Sequence, residues 1–199
     1  PVNRIDFKRK KAAAAGALLI AIFSVTSFIH ADNFKNELNF WKNAATTSPN
    51  AVTIVHPSLA AAYAARGMTD LAEKECGKAI ALNPRVRGAH NVLGWIYMNK
   101  GMLDEAEAEF SKEIVLNSEC SAPYLNMGIA QMKKGSAADA EAAWLKAVEL
   151  DGDAADAIGC LAKLYYERMD FARAEYFARR LLELGVRIPE DVLETLDIK

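Results

Sequence analysis

Cysteine is scarce in this chain, and none of it is arranged for chemistry. The three residues, Cys76, Cys120 and Cys160, form no C-x-x-C pair and have no histidine at ligand spacing, which excludes the usual zinc and redox motifs. An odd count leaves at least one thiol free, and Cys120 and Cys160 are not expected to pair. All three are read as structural, Cys76 as a small hydrophobe in a packing column. No phosphate-cradling glycine loop, Ser-His-Asp arrangement or H-E-x-x-H is present. Neither an active site nor a metal or cofactor is therefore expected within these residues. A strong charge of one sign is also missing: the formal net charge is −2 over 199 residues. The imbalance is local, because residues 1–11 hold five Lys or Arg against one Asp, a net +4 that leaves −6 for the rest. That is a basic tail and not the stripe that nucleic acid requires, so no nucleic-acid partner is expected. With 52% hydrophobic residues the chain has enough apolar surface for one continuous helical core, and nothing suggests disorder.

What is present is one phrase written four times. GMTDLAEKECGKAIALN begins at Gly67, GMLDEAEAEFSKEIVLN at Gly101, GSAADAEAAWLKAVELD at Gly135 and MDFARAEYFARRLLELG at Met169, all 34 residues apart. A fixed period of this length marks units that bury their apolar faces only against their neighbours. Columns keep the register: Ala72, Ala106, Ala140 and Ala174; Glu73, Glu107, Glu141 and Glu175; Leu82, Leu116, Leu150 and Leu184. Tyr63, Tyr97 and Tyr165 share another, with Gln131 as the exception. His90, Leu93, Gly94 and Tyr97 fall at the spacing of one helical stripe, and Ala106, Phe110 and 113–116 form a second. The glycine column between them suits a left-handed residue that ends the first helix without Cβ strain. Small residues at Gly94, Gly128, Ala162 and the alanine column let two backbones approach closely, with Phe110 or Trp144 filling the space beside them.

The stretches HNVLGWIY with Ala106 and Phe110, and YLNMGIAQ with Ala140 and Trp144, resemble the W-x2-L-G-x2-Y…A…F pattern of the tetratricopeptide repeat (TPR) family. The first unit departs from it with Ala60 for the glycine and Cys76 for the aromatic, and the fourth has Met169 at the turn glycine. The resemblance implies an all-α fold, a right-handed superhelical solenoid of helix-turn-helix repeats. The expected layout is a basic tail over 1–11, a transmembrane helix over 12–29, a half-repeat or linker helix over 30–52, about four repeats over 53–186 and a capping helix over 187–199. In the half-repeat Trp41 and Ala44 or Ala45 are expected to pack and Pro49 to close the helix. The cap is expected over Pro189 to Leu196, with Pro189 in its first turn.

The run AAAAGALLIAIFSVTSFI, 12–29, would span about 27 Å as a helix, just enough to cross a bilayer. A basic flank on one side alone predicts a cytoplasmic tail and repeats on the periplasmic or extracytoplasmic side. A cleaved signal peptide and a buried core helix are the alternatives. Cleavage after Ala31 would place large Ile29 where a small residue is wanted, which favours a retained single-pass span. The start at Pro1 fits either removal of an initiator Met or the tail of a longer protein. In layout the chain also resembles the C-terminal repeat region of polytopic membrane glycosyltransferases, and a regulatory or docking module of such an enzyme is the alternative function.

His56 and His90 lie one period apart in a column that continues with Tyr124, and recurrence with the fold's period argues for scaffold over catalysis. The glutamate column starts the second helices, where acidic groups favour the positive end of the helix dipole and face solvent. Surface is what remains for function. By its resemblance to the TPR family the chain is expected to receive a partner protein or peptide along its first helices. Opposite the packing stripe these present Asn91, Trp95, Met98 and Asn99 in the second unit, Leu125, Asn126, Ile129, Met132 and Lys133 in the third, and Lys163, Tyr166 and Glu167 in the fourth. Ser58, Ala61, Ala64 and Ala65 leave the first unit bare. The leading expectation is a membrane-anchored interaction module with a scaffold or assembly role. Its partner would be a protein or peptide, another membrane protein among the candidates, and homo-oligomerisation through the same face is a third reading. The lysine and asparagine clamp that some members of the family close on a carboxylate lacks its first-unit members here.

Overall fold

In the computed structural model the described residues are 38–47 and 52–198, with the side chains of Val52 and Thr53 excluded. The expected basic tail, the apolar run 12–29 and Pro49 lie outside them. Among the described residues all regular structure is helical, and no helix is long and apolar enough to cross a membrane. Two compact units result, one ending at Asp151 and the other beginning at Gly152.

The first unit contains α1 (38–47), α2 (Val52–Ala64), α3 (Thr69–Leu82), α4 (Ala89–Asn99), α5 (Leu103–Leu116), α6 (Ser121–Lys133) and α7 (Ala137–Leu150). Its hairpins all turn in one way. Gly67, Gly101 and Gly135 sit at φ +71°, +79° and +87°. The amide after each glycine returns to a carbonyl five residues back, Met68 to Tyr63 at 3.0 Å, Met102 to Tyr97 at 2.9 Å and Ser136 to Gln131 at 2.9 Å. This satisfies carbonyls that a helix end leaves open and reverses the chain within three or four residues.

Packing follows from the small-residue columns. Ala72, Ala106 and Ala140 all have 0% exposure. Gly94 and Gly128 each lie under a ring: a Cβ at 94 would stand 2.5 Å from Phe110 Cε1, and one at 128 would stand 2.6 Å from Trp144 Cδ1. The aromatic therefore occupies the volume that the glycine leaves empty. In the first pair the same two positions hold Ala60 and Cys76, both fully buried in one cluster, so a larger residue on α2 is matched by a smaller one on α3. Within this unit α2 packs on α4 and α4 on α6, while α3 and α5 pack on the first helix that follows each. Leu38, Trp41 and Ala45 of α1 join Leu59, Ala62 and Tyr63 of α2.

The leucine column behaves differently from the alanine column. Leu82 is 63% exposed and Leu116 and Leu150 are half-buried, so at the last residue of α3, α5 and α7 this column keeps phase without forming core.

The second unit comprises α8 (Ala155–Glu167), α9 (Phe171–Glu183) and α10 (Glu190–Thr195). Ala174 is again fully buried. Ala162 and Ala178 take the glycine and aromatic positions, and Tyr165 stacks on Phe177 with ring centroids 5.7 Å apart. The cap helix is shorter than expected: Pro189 is its N-cap at ψ 147° and only one and a half turns follow. Val192, Leu196 and Ile198 are its buried residues and those just beyond it.

Met169 makes the glycine turn without glycine, at φ +59°, and the Asp170 amide still reaches the Tyr165 carbonyl at 2.9 Å. A side chain in that region costs about 1–2 kcal/mol, and Met169 is 59% exposed, so little contact offsets the strain. Met169→Gly is accordingly expected to stabilise the second unit by roughly 1 kcal/mol, read as a rise in the urea midpoint of the full chain.

Candidate functional site

The most detailed surface of the first unit is built around α4. By the spacing of α6 and α8 this helix would begin at Arg87; it begins at Ala89, with Gly88 at φ +88° as a cap that has no side chain. The missing cap comes from α5. Glu113 is 1% exposed, and its Oε1 and Oε2 accept the amides of Gly88 at 2.7 Å and Asn91 at 3.3 Å. A buried carboxylate thus closes the positive end of α4. Ala79 and Ala147 fill the same column in the neighbouring pairs, so this device belongs to one repeat.

Held this way, α4 contributes Asn91, Val92 and Trp95 to an open hollow of about 260 Å³ whose other lining is Ala61, Ala64 and Ala65 of α2 and Asn126 of α6. Asn126 Nδ2 donates to Asn91 Oδ1 at 3.0 Å across the two helices. Trp95 is half-buried, one part of it packed against the clusters around Ala64, Ile96 and Phe110.

The structure thus brings together Asn91, Trp95 and Asn126 of the expected set. Met98 is a correction: it is 5% exposed and belongs to the buried cluster with Ala106, Phe110 and Ala130. The reason is that α2, α3, α5 and α6 all pack on α4, which leaves an outward stripe narrower than the helical spacing alone suggests. Ile129 leans on that same cluster. Asn99 is exposed and turns its Nδ2 back to the Trp95 carbonyl at 3.0 Å. Met132 is half-buried and Lys133 exposed at the end of α6. Lys163 and Tyr166 lie on α8 of the second unit, Lys163 3.6 Å from Glu167 and Tyr166 edge-on to Phe171 with centroids 5.9 Å apart.

The two histidines are partnered within their own hairpins. His56 Nδ1 lies 2.6 Å from Glu75 Oε2, and Lys78 reaches Oε1 of the same carboxylate at 2.7 Å. One period on, His90 lies 2.6 Å from Glu109, which Lys112 meets at 2.6 Å. Sequence reasoning missed the partners, although Glu75 and Glu109 follow their histidines by 19 residues in both units and Ala143 replaces the carboxylate where Tyr124 replaces the histidine. Burial would raise both carboxyls, but the hydrogen bonds from Lys78 with His56 and from Lys112 with His90 outweigh it and hold them below the usual carboxylate range. The other glutamate column is not left to solvent. Glu73 and Glu107 are partly covered and meet Lys100 and Lys134, which cap α4 and α6. Burial pushes the Cys76 and Cys160 thiols up to about 12, so both are protonated packing groups with little nucleophilic character.

The tetratricopeptide repeat family model matches residues 88–114, the unit that holds Gly94, Ala106 and Phe110. That stretch matches a tetratricopeptide repeat, and the hairpins on either side of it keep its 34-residue period. No curated protein matches this chain in sequence. Among solved structures it is similar to PilF of Pseudomonas aeruginosa, at 17% identity and a TM-score of 0.68 over 95% of this chain and 87% of that one. A thermophilic TPR protein of Thermus thermophilus is 20% identical with a TM-score of 0.68, covering 92% and 95%. PilW, a type IV pilus biogenesis factor, is 18% identical with a TM-score of 0.66, covering 92% and 87%. At these identities the likeness is one of fold.

Two outcomes test this local architecture. Glu113→Ala is expected to destabilise the chain by about 1–3 kcal/mol, because two helix-start amides lose a buried acceptor, with Glu113→Gln intermediate in the same urea titration; equal stability of all three proteins would refute the capping role. The depressed carboxyls of Glu75 and Glu109 contribute stability above their unfolded pKa values that is lost as pH falls through the folded ones. Glu75→Gln with Glu109→Gln is therefore expected to be less stable than the parent at pH 7 and to lose less on acidification to pH 3, measured by denaturation at each pH.

Proposed function

We propose that the chain is a protein-interaction scaffold that receives a partner protein or peptide on the first-helix face of its first unit. One observation carries this reading: charge is sorted by helix. The segments forming α2 and α4 contain no Asp, Glu, Lys or Arg, and α6 has only Lys133 at its end, whereas α3 and α5 are densely charged. Depletion of charge together with aromatic and methionine side chains is the composition of an interface core. Trp95 supplies the aromatic anchor, Ile129 and Met132 continue the apolar strip, and Asn91 and Asn126 supply hydrogen-bonding amides. Asn99 and Lys133 border the strip, and Lys163 and Tyr166 offer a separate surface on the second unit. Mechanism here means binding without bond making.

The apolar run 12–29 behind its basic tail supports a membrane tether with the repeats on the non-cytoplasmic side. Tethering confines the module to a thin layer and raises its effective concentration toward partners in the same membrane.

Crosslinking and affinity capture of the full chain from membranes, compared with Trp95→Glu, tests the interaction face. The variant is expected to lose specific partners at least fivefold while keeping its helical circular dichroism. Unchanged recovery overturns the assignment, and release of the chain from membranes by alkaline carbonate overturns the tether.

A further inference from the structure

The hollow beside Trp95 exists because the first repeat omits side chains that later repeats supply. Position 61 is alanine where the next two units have Trp95 and Ile129, and position 64 is alanine where they have Met98 and Met132. The resulting volume of about 260 Å³ lies below the roughly 300–1,000 Å³ of small-molecule sites. At about 30 Å³ per water it equals eight or nine waters, room for one large side chain. The lining is three alanines, Val92, Trp95 and the two asparagines, with no ionisable group. The histidines on α2 and α4 are committed to Glu75 and Glu109. A charged occupant would lose hydration here with no opposite charge in the lining to offset it.

The rim adds a second element. With Asn126 donating to Asn91, the Asn91 amino group and the Asn126 carbonyl have no further partner among the described residues. One donor beside one acceptor is the complement of a peptide unit, which presents a carbonyl and an N–H.

We infer that this hollow is a docking pocket for an uncharged peptide segment of a partner protein: one aliphatic or aromatic side chain enters between Trp95 and the alanines of α2, while Asn91 and Asn126 hold the adjoining peptide unit. This rests on the reading of the first-helix face as the interaction surface and adds the chemistry of the anchor.

The test is an NMR titration of the full chain with N-acetyl-leucine methylamide and with its lysine and aspartate counterparts. The leucine probe is expected to shift the Trp95 indole N–H and the Asn91 and Asn126 side-chain amides saturably, and the charged probes to need at least fivefold higher concentrations. Ala61→Leu, at an exposed lining position, fills the hollow and is expected to weaken the leucine probe at least fivefold. Asn126→Ala is expected to weaken it at least threefold. The inference is overturned by absence of these shifts, by equal binding of the charged probes, or by indifference to either substitution. It is overturned equally if the Trp95 signal moves on dilution without probe, which would identify a second copy as the occupant. Failure of the probe while Trp95→Glu still abolishes partner capture removes the pocket but keeps the interaction face. Probe binding with capture unchanged removes the face and keeps the pocket.

Discussion

Close approach of helix backbones is the constraint on which the remainder rests. Each hairpin of the first unit sets a residue of little or no bulk against a buried partner, Gly94 against Phe110, Gly128 against Trp144, Ala60 against Cys76. Protein interiors tolerate neither overlap nor void at such points, since an added methylene forces shifts and a missing one leaves a cavity. The buried alanine column gives the same spacing at a second level. Because the hairpins are thereby held in a common geometry, their first helices bring residues from three repeats, from Ala61 to Asn126, to one hollow.

Much of this fold was legible in the sequence because its cause is local and recurs. The turn glycines, the buried alanines and the pairing of small with large are column properties, and a 34-residue period exposes them without any knowledge of contacts. The features that escaped were those that break the period or depend on contacts between helices. Glu113 stands where neighbouring units have alanine and looked like part of an apolar stripe; only the late start of α4 shows why a carboxylate is buried there. Met98 has the spacing of an outward residue but is covered because four helices pack on α4. The leucine column, exposed at Leu82 and half-buried at Leu116 and Leu150, carries the opposite lesson, for a residue type can persist at a position that the core does not use.

The site was legible only in part for a similar reason. Asn91, Trp95 and Asn126 fell on the outward face by register, and the bareness of α2 was visible as a row of alanines. That the bareness and the indole enclose a single hollow, with two amides joined across its rim, depends on how α2, α4 and α6 lie together. Electrostatics divides along the same line. Carboxylates are concentrated on the second helices, where they meet histidines and lysines of their own hairpin or the lysine at the end of the next first helix. The segments of α2 and α4, by contrast, carry no Asp, Glu, Lys or Arg.

The exchange of bulk between the two helices of a hairpin also bears on how such an array can change. A lone α3 carrying Cys76 transplanted opposite Gly94 would leave an empty space, and a lone α5 carrying Phe110 placed opposite Ala60 would collide with its methyl group. Helices are therefore not separately interchangeable parts. Duplication, deletion or grafting succeeds in whole hairpins, and any drift in one member of a matched couple invites a compensating drift in the other.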